Sequence, residues 1–239
     1  MLERGRPGVP VTFFLIILLF TLTRCVVFAP PSPMVTYGGP KTTDKGTSET
    51  AIALGTGIAR FDAGHSGGQG WFGRYKYGLS DKWDLGIDAI GFSHSDKFAI
   101  TSKIAARYQL LPNFRLEGGA GAADDSQGKS LNGDMGLTWG TLHEDKVWNF
   151  YSTLRFGYAK GYAGNAAFTG GSEVAQSDSI APPSTSIALL NAGAQGKISD
   201  NMKFIFEGGY GYLFPQGQKS GAVIYLSCGL LFKIGEKKK

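Results

Sequence analysis

An antiparallel, up-and-down transmembrane β-barrel of about ten strands is the all-β fold class that this sequence predicts, with eight or twelve strands as the neighbouring solutions. Three observations predict it: long segments of period two, connections that alternate between tight and loose, and large aromatics gathered at strand ends beside the tight connections. The stretch Val147–Ala159 shows the first most plainly. Trp148, Phe150, Leu154, Phe156 and Tyr158 share one parity, broken only by Ser152, while Asn149, Tyr151, Thr153 and Arg155 occupy the other. A period of two over about a dozen residues is a strand with one apolar and one polar face, roughly twice the usual length. Crossing a bilayer with a tilted strand takes about 9–11 residues. On this reading an arginine is tolerated better at Thr153 than at Leu154.

Composition agrees. Gly accounts for 36 of the 239 residues, aromatics for 13% and charged residues for 18%. The charge content is below the roughly 25% of ordinary globular chains. Mean hydropathy is nevertheless only −0.08, as it must be when every spanning strand is half polar. The net charge of +5 owes part of its excess to Lys237-Lys238-Lys239. No basic helix, zinc spacing or aromatic RNA-binding motif accompanies it, so nucleic acid is not an expected partner. Cys25 and Cys228 lie in unrelated contexts and suggest neither a disulfide framework nor a metal site. No cofactor motif is present.

Taken in order, residues 1–24 hold two arginines, Arg4 and Arg6, and then an apolar run from Val11 to about Thr23. That run is shorter than the ~20 residues of a comfortable span and reads as an export signal. Residues 25–49 contain Pro30-Pro31-Ser32-Pro33 and Tyr37-Gly38-Gly39-Pro40. Prolines interrupt a ladder, so this stretch is expected to be an extended tether. Residues 50–234 are assigned to the barrel and 235–239 to a basic tail.

Within the barrel, Ile52, Leu54 and Ile58 oppose small residues over Ala51–Phe61, and Trp71, Tyr75 and Tyr77 oppose Arg74 and Lys76. Trp83, Leu85, Ile87 and Ala89 face away from Asp84 and Asp88. Ile100, Ile104 and Tyr108 face away from Lys103 and Arg107. Phe114 and Leu116 then oppose Arg115 and Glu117, and Leu131, Met135, Leu137 and Trp139 oppose Asn132, Asp134 and Thr138. After Val147–Ala159 a weakly alternating strand over Ile187–Ile198 carries Lys197. Met202, Phe204, Phe206, Tyr210 and Tyr212 oppose Lys203 and Glu207. Ile224, Leu226, Leu230, Phe232 and Ile234 close the series.

Tight connections at Ser80–Lys82, Leu111–Asn113, Thr141–Lys146 and Ser199–Asn201 alternate with looser ones at Ala63–Gly70, Gly91–Lys97, Ala123–Lys129, Lys160–Ser186 and Pro215–Ser220. Trp83, Tyr108, Phe114, Trp139, Trp148, Phe204 and Phe232 stand beside the tight set, where an aromatic girdle would meet a membrane surface. A soluble sandwich would hold its aromatics nearer strand centres. The competing fold is a soluble, lipocalin-like or avidin-like ligand-binding barrel.

The stretch from Thr50 to Ile234, with its turn Gly78-Leu79-Ser80-Asp81-Lys82-Trp83-Asp84-Leu85-Gly86, resembles small bacterial outer-membrane β-barrel proteins. That resemblance implies outer-membrane lipid around the barrel, insertion by the barrel-assembly machinery, short periplasmic turns and longer extracellular loops. In this chain Phe232 is followed by Lys233–Lys239 and is not the final residue. Leu22-Thr23-Arg24-Cys25 resembles a bacterial lipoprotein box, apart from Arg24 where a small residue is usual, and so implies Cys25 as a lipidation candidate. Val26 after it implies sorting to the outer membrane.

Catalysis is not expected. Omptin-like proteases pair aspartates with an Asp-His couple at the outer rim, whereas His65, His94, Asp96, Asp124 and Asp125 show neither Asp-x-Asp nor Asp-x-His spacing. Ser93-His94-Ser95 has adjacent spacing, which on a strand sends the side chains to opposite faces, unlike the His-x-Ser of lipid A deacylase barrels. A loop-based hydrolase is therefore a distant reading. The polar faces are more informative. Arg74, Lys76, Lys103, Arg107, Arg115, Arg155, Lys197 and Lys203 stand against Asp84, Asp88, Glu117, Asp134 and Glu207. They are expected to face the lumen, either as an interlocked plug or as the lining of a narrow path that favours anions. The expected role is structural, surface-binding or that of a narrow pore, with residues 160–186 the expected contact for an extracellular ligand.

Overall fold

The computed structural model describes residues 36–61, 64–94, 97–125, 128–141, 147–162, 184–217 and 219–235. Ten strands form one closed antiparallel barrel in which each neighbours the next in sequence and the first pairs with the last. They are β1 (Ser48–Phe61), β2 (Gly64–Gly78), β3 (Trp83–His94), β4 (Lys97–Leu111), β5 (Phe114–Asp125), β6 (Gly128–Gly140), β7 (Trp148–Tyr162), β8 (Thr185–Ser199), β9 (Met202–Pro215) and β10 (Gly221–Ile234). β1 starts and β10 finishes at the same end of the barrel, here the terminal end.

Alternation sets which face points where. In β7, Tyr151, Thr153, Arg155 and Ala159 are buried, while Trp148, Phe150, Leu154, Phe156 and Tyr158 are exposed. Leu116, Leu137, Leu154 and Leu190 are successive cross-strand partners and make an apolar row on the outside. Trp83, Tyr108, Phe114, Trp139, Trp148, Phe204 and Phe232 all point outward near the terminal end, with Trp83 packed on Tyr108 at a centroid distance of 4.7 Å. Tyr158, Tyr162, Tyr212 and Phe214 are exposed towards the far end. Among the described side chains of the strands, the outward positions between these belts carry no Asp, Glu, Lys or Arg. Outward Asp124, Lys129 and Lys160 lie at the far end.

Three expectations need correction. The looser connections are mostly not loops: β1 and β2 stay paired to Phe61 and Gly64, β3 and β4 to His94 and Lys97, and β5 and β6 to Asp125 and Gly128. Ladder hydrogen bonds require no apolar side chains, so Gly- and Ser-rich sequence extends the strands past the apolar belt. Residues 36–47 of the expected tether are not an external linker, because Thr36, Tyr37, Thr42, Thr43 and Thr47 are buried inside the barrel. Thr153 is fully buried, and its hydroxyl hydrogen-bonds that of Thr138 at 2.9 Å. An arginine there would have no water to reach. The export signal, Cys25, most of the 160–186 stretch and the last four residues of the chain lie outside the described residues.

Candidate functional site

The interior divides into two halves. On the β8, β9, β10 and β1 side it is mainly apolar, with Ile187, Leu189, Ile205, Leu213, Val223 and Ala53 buried together and Glu207 buried among them. On the β2 to β7 side it is ionic. Arg74 grips Asp88 through two hydrogen bonds of 2.6 Å, the bidentate geometry that a planar guanidinium suits. Arg107 reaches Asp84 at 3.4 Å, Asp88 at 3.1 Å and Glu117 at 2.8 Å. Arg155 joins Glu117 at 2.9 Å to Asp134 at 3.0 Å, and Lys103 sits 2.7 Å from Asp134. Glu117 thus lies among several cations, which offset its removal from water.

Sequence alternation put most of these charges inside, and there the structure places them. Two differ. Lys197 is exposed at the terminal-end mouth, where a register shift between Lys197 and Ser199 ends the ladder, and it pairs with Asp200 at 2.7 Å. Its hydrogen bond and charge hold the exposed Asp200 carboxyl below the usual carboxylate range. Lys203 also stands at this mouth, only half-buried. Glu49, not singled out by the sequence reading, instead pairs with buried Lys76 at 2.6 Å. Deep cations Arg74, Lys76, Lys103, Arg107, Arg115 and Arg155 are therefore matched by Glu49, Asp84, Asp88, Glu117, Asp134 and Glu207. The basic excess behind an anion preference disappears.

Residues 36–47 run from the middle of the lumen to the terminal-end mouth. The wall binds their backbone. Glu207 accepts hydrogen bonds from the Thr36 and Tyr37 N–H groups at 2.7 and 3.0 Å. Arg74 donates to the Thr36 and Tyr37 carbonyls, and Arg115 to that of Gly39 at 2.7 Å. The Thr42 N–H donates to Gln109 and the Thr43 N–H to Asp84, each at 2.9 Å. At the mouth, Lys233 holds Asp44 at 2.6 Å.

Glu207 is the centre of this seat. Besides the two backbone donors, Tyr151 and Tyr225 each donate to its carboxylate at 2.6 Å. Among the described residues no cation lies within ion-pair distance of it. Tyr151 reaches it across β8 because Gly193, partner of both Tyr151 and Glu207, leaves the space open: a Cβ there would sit 2.3 Å from the Tyr151 ring. Gly209 does the same for Tyr225, at 2.2 Å. Sequence reasoning passed over both tyrosines and the segment. The available signal was that Glu207, like Asp134 between Gly119 and Gly157, has no basic residue opposite it, its partners on β8 and β10 being Gly193 and Ser227.

Of the residues considered for rim chemistry, only Asp124 has a described side chain. Asp124 lies 3.9 Å from Lys129, while the side chains of His65, His94, Asp96 and Asp125 lie outside the described residues. Among the described residues no cluster of His, Cys, Asp and Glu is placed to hold a metal.

No protein-family model and no curated protein matches the chain. Solved structures of outer-membrane barrels do align with it. An outer-membrane channel from Pseudomonas putida F1 is 10% identical with a TM-score of 0.45, covering 83% of this chain and 100% of its own. The outer-membrane protease OmpT from Escherichia coli is 11% identical with a TM-score of 0.43, covering 79% and 97%. Neisserial surface protein A is 11% identical with a TM-score of 0.41, covering 79% and 99%.

Proposed function

We propose that this chain is a bacterial outer-membrane β-barrel protein whose resting lumen is closed by residues 36–47 and the ionic half of the wall. The observation that carries the reading is the exterior: among the described side chains, an apolar surface free of charge between two aromatic belts. In water such a surface would drive aggregation, whereas in a bilayer it is the required one. A soluble ligand-binding barrel would present the opposite face. Export by the N-terminal signal and insertion by the barrel-assembly machinery belong to the same proposal, as does lipidation at Cys25.

The reading is tested by extraction and electrophoresis. A spanning barrel stays with the outer membrane through carbonate washing, and its migration in SDS shifts on boiling. Release by carbonate, with no heat shift, would sink the proposal. Palmitate label lost in Cys25→Ser would support lipidation, and absence of label in the unaltered protein would end that part.

The role of such a barrel is structural or surface-binding, with residues 160–186 proposed as the ligand contact, since recognition concentrates in loops on rigid scaffolds. A pore reading is favoured by one observation: the lumen is filled by a segment that forms no strand of the wall. Deleting Thr36–Asp44 is expected to raise conductance in planar bilayers above that of the full chain. Equal conductance would assign the segment a purely structural role.

A further inference from the structure

Residues 36–47 are held in an unusual manner. Among the described residues they make one isolated ladder contact, the bridge of Lys45 with Gly78. The rest of the seat is mostly wall side chains that reach the segment's main chain, joined by side-chain contacts of Thr36 with Asn191, Thr42 with the Asp81 carbonyl and Asp44 with Lys233, and by main-chain bonds of Gly46 and Thr47 to Gly78. Glu207 takes two N–H groups, Arg74 and Arg115 take carbonyls, and Asp84 and Gln109 take the N–H groups of Thr43 and Thr42. Any extended polypeptide presents those groups. The step that reads a large side chain is Tyr-Gly. Tyr37 is buried, with its ring 4.6 Å from Phe72, beside a small apolar cavity lined by Ile90, Tyr225 and Ser227. Gly38 follows at φ +147, in the left-handed region that disfavours a side chain.

The wall is also built for an occupant. Glu207 has no cation within ion-pair distance among the described residues, so its buried charge is met by four hydrogen-bond donors, two of them from the segment. A buried carboxylate that loses half its donors is strongly destabilised, so the wall needs an occupant. The segment passes into β1 through Gly46, at φ +74, whose N–H donates to the Gly78 carbonyl at 2.8 Å.

We propose that the lumen is a binding site for an extended polypeptide supplied in trans, carrying an aromatic side chain followed by glycine. Thr36–Thr47 is the resident copy of that ligand. The inference rests on the closed lumen described above and not on which membrane surrounds it, so it is measured in detergent micelles.

The probe is a fluorescent synthetic peptide with the sequence of Thr36–Thr47, followed by anisotropy against the full-length protein. Tyr37→Ala and Gly38→Val weaken the resident segment and leave the wall intact. The peptide is expected to bind either variant about tenfold more tightly than the unaltered protein. Replacing the tyrosine of the peptide by alanine is expected to abolish that gain. Glu207→Gln combined with Tyr37→Ala is expected to reduce it. Equal binding to all proteins, or binding indifferent to the tyrosine, would overturn the proposal. If neither variant shows the heat shift of a folded barrel, the unaltered protein carries the test. A peptide photoreactive at the tyrosine position, in large excess, must then cross-link to the β2 fragment holding Phe72. Cross-linking only elsewhere overturns the proposal. Failure of the outer-membrane reading would appear in carbonate extraction, independently of these results.

Discussion

At Glu207 a single side chain holds the closed state together, because both oxygens of its carboxylate serve the wall and the luminal segment at once. Glu207→Gln keeps the shape but turns one acceptor into a donor that faces other donors. It is expected to cost about 1–3 kcal/mol, read as a lower urea midpoint. Gly193→Val should be at least as damaging, since the new side chain meets the Tyr151 ring and displaces its hydroxyl from Glu207. On the outer face, Leu154→Arg is expected to cost about 2–4 kcal/mol for a cation near the bilayer midplane. The refolding equilibrium in lipid vesicles measures it. Thr153→Arg, which alternation alone reads as the milder change, should be no milder, because Thr153 is enclosed and bonded to Thr138. Period two identifies the inward face. It does not say whether that face meets water or packed protein.

Among the elements, the ten strands were legible because apolar parity persists along each of them. Trp148–Tyr158 is the clearest case, and β8, with its alanines outward and Leu189 and Ile187 inward, the weakest. The far ends of β2, β3, β5 and β6 were not legible as strand; Gly64–Gly70, for one, has no apolar face to announce its pairing with β1. The luminal segment was hidden for a different reason. Its prolines and glycines carry no period, and its hydrogen bonds go to side chains on β2, β3, β4, β5 and β9, far away in sequence. Partners that distant leave no local trace. The aromatic girdle was legible at the terminal end, because its members abut turns with recognisable chemistry such as Ser80–Lys82.

For the molecule as a whole, the division of the lumen into an apolar and an ionic half sets both rigidity and charge. The ionic half is one connected network, so its members act together. Asp88→Asn leaves Arg74 and Arg107 short of a buried partner and is expected to lower stability by about 3–5 kcal/mol, seen as a lower temperature of the heat shift in SDS. Because deep cations and anions balance, a path opened by removing residues 36–44 should show no strong preference for anions. A reversal potential near zero in a chloride gradient would meet that expectation.

The membrane-spanning role depends on the outward face of the strands lying in lipid. Bimane attached through Leu154→Cys or Asn201→Cys, in protein with Cys25 and Cys228 changed to serine, reads this directly in vesicles. Spin-labelled lipid should quench the Leu154 site strongly and the Asn201 turn weakly, while aqueous iodide should do the reverse. Iodide quenching at Leu154 equal to that at Asn201 would contradict a membrane-spanning barrel.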